Sequence, residues 1–117
     1  MIRNLLLVAA GGALGSILRA LVITAAPFPW GTLAVNVSGS FVIGVLFALL
    51  AGTGEIWTIL FISGLLGGFT TFSTFSLDVL RLVESGRAPL AGGYVMLSVA
   101  LSLGACWAGL LVGRSLP

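Results

Sequence analysis

Residues 67–75 read GGFTTFSTF, at the centre of an apolar run that otherwise has the length and character of a membrane span. Two glycines, three threonines, a serine and three phenylalanines suit neither a stable helix nor a lipid-facing surface. Glycine gives the backbone too much freedom, and β-branched threonine loses side-chain freedom against the preceding turn. The apolar run extends from 56 to 80, so Gly67 and Gly68 fall at its midpoint. Two readings follow. The stretch is either a local break in the helix at mid-membrane, or a glycine packing notch whose hydroxyls bond back to their own helix.

The surrounding chain establishes the membrane. Of 117 residues, 59% are hydrophobic and 7% charged, a balance that water-soluble domains do not show. A helical span needs roughly 20 predominantly apolar residues, and four segments supply them: 5–24, 32–50, 56–80 and 90–113. All four are expected to be helices, because lipid leaves no partner for an unpaired backbone group. The connectors carry the breakers: Pro27 and Pro29, the 51–55 turn with Gly52 and Gly54, and the polar stretch 81–89. The whole chain therefore reads as a single membrane unit, residues 1–117. The first apolar run is long and lacks a signal-peptidase site, so no cleavage is expected. Without histidine and with three carboxylates, the chain has little material for hydrolytic or metal-dependent catalysis, and no enzyme is expected. Cys106 stands alone in an apolar span and reads as a small packing residue.

All five basic residues are arginines, and they are balanced. Arg3 and Arg114 share one membrane side with the 51–55 turn; Arg81 and Arg87 lie on the other, with Arg19 near that end of its span. The positive-inside rule finds little to act on. Either a faint bias orients the chain, or it inserts both ways and pairs with an inverted copy. Four helices about 10 Å across pack solid and leave no central route, which independently favours an oligomer. Gly11/Gly15, Gly12/Ser16 and Gly109/Gly113 are small residues at a spacing of four, suited to close helix contact within or between subunits.

Polar residues inside spans are costly and therefore informative. Thr32, Asn36 and Ser40 lie on one face of the second span, and Tyr94, Ser98 and Ser102 on one face of the fourth. Hydroxyls can be satisfied by their own helix. The Asn36 amide cannot, and it demands a partner.

With these features in view, the sequence resembles the Fluc or CrcB family of small bacterial fluoride channels. The resemblance covers essentially the whole chain. It rests on the Gly-rich first span with Arg19, the block GTLAVNVSGSF at 31–41, and GGFTTFSTFS at 67–76. It implies an all-α integral membrane protein with four transmembrane helices, the third broken at mid-membrane, assembled as an antiparallel homodimer in the bacterial cytoplasmic membrane. It further implies two fluoride pores and a central sodium ion held by the backbone carbonyls of Gly67 and Thr70. Phe72 and Phe75 match the rings that face the permeating anion, with Ser73 and Thr74 between them in the hydroxyl track. Asn36 and Thr32 match the second-helix part of the path, and Tyr94, Ser98 and Ser102 the fourth-helix part. Arg19 matches an arginine near the pore entrance. Asp78 departs from the pattern: the family commonly has glutamate there, so its partner is open.

These residue types suit the implied ion. Fluoride is small and strongly hydrated, and compact neutral donors replace its water without trapping it. Aromatic ring edges are positive and can face an anion. The implied partners are fluoride, lipid and a second copy of the chain, with no nucleic acid. The alternative is a small multidrug transporter that exchanges cations for protons. That reading needs a carboxylate within the membrane, whereas the first span has none and Asp78 lies near a span end.

Overall fold

The computed structural model describes all 117 residues, and they form helices and turns only. Helix α1 spans Ile2–Ala25 and α2 spans Trp30–Leu49. The third segment starts as a helical turn at Glu55–Trp57, widens into a π-helix over Thr58–Leu66 and closes with Gly67–Phe69; we call this continuous run α3. Helix α4 spans Phe72–Glu84 and α5 spans Ala88–Ser115. Four stretches are long and apolar enough to cross a membrane: α1, α2, the run Glu55–Glu84, and α5. Large apolar side chains such as Leu5, Ile17, Leu21 and Trp107 are exposed, as a lipid solvent allows.

Between α3 and α4 the backbone leaves helical geometry at two residues. Thr70 has φ −81° and ψ 157°, and Thr71 has φ −152° and ψ 119°, both extended. The glycines of the quoted stretch behave otherwise: Gly67 and Gly68 remain helical. The reason is packing. A Cβ on Gly68 would come within 2.6 Å of the Gly12 carbonyl oxygen, so glycine here lets two backbones touch.

Two glycine seams hold the helices together. On the first, Gly11, Gly12 and Gly15 of α1 press against Gly64, Leu65 and Gly68 of α3. On the second, Gly44 of α2 lies against the Cys106–Leu110 turns of α5, while Gly109 and Gly113 lie against Phe41 and Val45. The small-residue pairs of the first and last spans thus serve contacts within one chain. Helix α4 is amphipathic and buries Phe75, Asp78 and Leu82 against Ala91 and Tyr94 of α5. It continues past Leu80 to Glu84 and ends where Gly86, at φ 81°, allows the Arg87 N–H to reach back to the Leu82 carbonyl. The charged ends gather locally. Arg3 pairs with Glu55 at 3.6 Å, and Arg81 lies 4.2 Å over the Phe28 ring.

Candidate functional site: a groove between three spans

The two polar stripes face one another. Asn36 and Ser40 of α2, Ser98 and Ser102 of α5, and Thr70, Thr71, Phe72 and Phe75 line one groove of about 390 Å³. It lies where the extended Thr70–Thr71 step parts α3 from α4, so helix geometry itself opens the space.

Asn36 explains how that step is tolerated. Its Nδ2 donates to the Thr71 carbonyl at 3.0 Å, and its Oδ1 accepts the Thr71 N–H at 2.8 Å. The amide satisfies both backbone polar groups of Thr71. One of its two N–H groups is spent on this contact, leaving the other for the groove. The Thr71 hydroxyl caps α4 by accepting the Thr74 N–H at 3.2 Å, and it lies 3.3 Å from the Ser73 hydroxyl. Thr70 instead bonds back to Leu66, both by its N–H at 3.1 Å and by its hydroxyl at 3.0 Å.

The groove serines Ser40, Ser98 and Ser102 make no hydrogen bond to their own helix, which is also true of Ser16 and Ser63. Ser38 and Ser76 return their hydroxyls to their own helix at 2.6 Å and 3.0 Å. The Ser98 hydroxyl is buried and makes no hydrogen bond to its own helix; its polar neighbour is the Tyr94 hydroxyl.

The rings form a chain along the groove. Phe72 is 77% exposed and lies 5.4 Å from Phe75 with a tilt of 57°. Phe75 is buried and lies 5.5 Å from Tyr94, which meets Trp30 edge-on at 6.3 Å. Tyr94 and Thr32 are buried one turn beyond the groove rather than lining it. The Tyr94 hydroxyl donates to Asp78 at 3.4 Å, and the other Asp78 oxygen faces Arg81 at 3.8 Å. The shortened acid therefore has two partners, and its charge is spent locally.

The remaining candidates are placed as follows. Ser73 is exposed and Thr74 half-buried, and neither lines the groove. Arg19 reaches from α1 to the Thr70 carbonyl at 3.4 Å. Gly67 is exposed. Its carbonyl receives no N–H from Thr71, whose donor goes to Asn36. No group of three or more acidic, histidine or cysteine side chains comes together in the chain.

Two residues escaped the candidate set. Ser40 belongs to the second-span stripe and reaches the groove one turn after Asn36. Thr71 was legible as a capping threonine ahead of Thr74, had its place at a helix start been known.

Comparison with known proteins places this geometry among relatives. The family model described as CrcB-like protein, Camphor Resistance (CrcB), matches residues 6–110. A protein of Agrobacterium fabrum named fluoride-specific ion channel FluC is 48% identical, covering 97% of this chain and 98% of its own. One of the same name from Rhizobium johnstonii is 52% identical over 95% and 96% of the two chains. A third, from Cereibacter sphaeroides, is 49% identical over 97% of each.

Proposed function

Because the chain belongs to the CrcB-like family, we propose that it is a fluoride channel, passing the ion down its gradient through the groove between α2, α4 and α5. The observation that carries the reading is the convergence of the Asn36 amide and the Ser40, Ser98 and Ser102 positions with the Phe72 and Phe75 rings in one groove lined by no basic side chain. Fluoride entering the groove sheds water and gains the hydroxyls of Ser98, Ser102 and Ser40 and the free Asn36 N–H. The ring edges of Phe72 and Phe75 add weak attraction. Neutral donors bind the ion tightly enough to admit it and loosely enough to release it. The activity is conduction, with no bond made or broken. The cytoplasmic membrane of a bacterium is the setting, and export of toxic fluoride the use.

The working unit on this reading is an antiparallel homodimer with two such grooves. Balanced arginines on the two faces support dual insertion, and the exposed Phe72 ring supports a second chain closing the groove. On this reading the third span is two half-helices, and the extended step at Thr70 and Thr71 supports it. A structural sodium ion fits there. The Gly67 carbonyl lacks its intrahelical donor on an exposed residue, the Thr70 carbonyl has the long contact from Arg19, and neutral oxygens suit a hard monovalent cation. Bound between two chains, the ion would supply positive charge that offsets the cost of anions in a low-dielectric interior.

Two experiments test the proposal. Proteoliposomes loaded with fluoride or chloride should release fluoride rapidly and hold chloride; comparable loss of both would reject a fluoride channel. Several lysines appended to the C-terminus should fix one orientation and abolish flux, and an oppositely biased copy should restore it. Full activity of the biased chain alone would reject antiparallel pairing.

A further inference from the structure

We propose that Thr71 is a positioning residue: through Asn36 and its own cap it holds the Phe72–Phe75 ring pair in register with the groove, and so sets the rate of passage. The proposal rests on the fluoride-channel reading for its rate, and on geometry alone for its positioning. The two adjacent threonines face opposite ways. Thr70 is tied by N–H and hydroxyl to Leu66 and belongs to the upstream half. Thr71 gives its N–H and carbonyl to Asn36 at 2.8 and 3.0 Å and caps the downstream half at Thr74.

One residue thereby links α2 to the first turn of α4. That turn begins with Phe72 and carries Phe75 one turn on. Thr71 is itself largely buried, at 9% exposure, and its hydroxyl is the side-chain acceptor of the Thr74 N–H. Without the hydroxyl, the Thr74 N–H loses its acceptor, and the first turn of α4 can fray or rotate. A fray there moves Phe72 and Phe75 relative to Ser98, which lies on a different helix and stays put. Sites that depend on matched geometry lose function steeply at displacements of about 1 Å.

The test uses the full chain reconstituted in bilayers, with single-channel fluoride currents, and 4-fluorophenylalanine at position 75 read by ¹⁹F NMR in fluoride-free buffer. Thr71→Val keeps the shape and removes the hydroxyl; unit conductance should fall roughly tenfold or more, with a broadened or shifted ring resonance. Thr71→Ser, which retains the cap, should stay within about twofold of the parent. If the valine variant does not yield folded protein, Thr71→Ala takes its place under the same criteria. Unchanged conductance overturns the proposal. So does a fall in the number of active channels at unchanged unit conductance, which would mark a merely structural role. Lower conductance with an unchanged ring resonance also overturns it, since Thr71 would then act on the ion directly. If the parent passes no fluoride but the valine variant still alters the ring resonance, the channel reading fails and the positioning role stands.

Discussion

Gly15→Val is expected to eliminate monodisperse, folded protein from detergent extracts, whereas Gly104→Val should leave it intact. Both glycines lie inside long helices, where valine is tolerated about as well as glycine or better on propensity alone. Their surroundings separate them. A Cβ on Gly15 would run into the Leu65 carbonyl oxygen and lie 2.9 Å from the Phe69 nitrogen, both backbone atoms of α3. Backbone cannot swing aside as a flexible side chain can, so α1 and α3 must separate. Overpacking a core that can adjust costs about 1–3 kcal/mol; here the whole first seam opens, and the cost should exceed that range. A Cβ on Gly104 meets nothing within 4 Å. Size-exclusion profiles of the two variants, side by side, read the difference. Equal recovery would mean that the first seam does not hold the fold.

The same seam shows what the sequence conveyed and what it withheld. Four helices were legible, because apolar length and breaker residues are local signals. The spacing of Gly11 and Gly15 announced close packing, but a spacing names no partner; only the fold shows that the partner is the backbone from Leu60 to Phe69. The stretch from Gly67 to Thr70 read as the place where the helix breaks, and only its last residue leaves helical geometry. Propensity governs a helix surrounded by water, and Gly68 is instead held helical by contact with Gly12. The residues that leave helical geometry are Thr70 and Thr71, and they do so where Asn36 can take over the lost bonds. Asn36 was legible as an amide in need of a partner, but the partner lies 35 residues away, beyond any periodicity. Nothing in Thr58–Leu66 announces a π-helix. The two stripes were visible separately. Their convergence on one groove depends on the second glycine seam, which sets α2 against α5.

The second large effect is expected at Ser102, on the α5 wall of that groove. Ser102 is half-buried and forms no hydrogen bond to its own helix, so a larger side chain there can enter the groove without displacing the Phe75–Tyr94 core. Tryptophan at this position would fill the space between α5 and the Phe72 ring and cover the Ser98 hydroxyl. The helix should tolerate it, since neighbouring Leu103 and nearby Trp107 already carry bulk on this span. Plugging a path differs from reshaping it: a side chain that fills the groove leaves a dehydrating ion no room beside the donors. The decisive measurement is fluoride efflux from liposomes bearing Ser102→Trp, recovered folded and compared with the parent at equal protein density. Efflux about 100-fold or more below the parent is the predicted result for a blocked path; efflux at the parental rate would mean that fluoride does not pass through this groove.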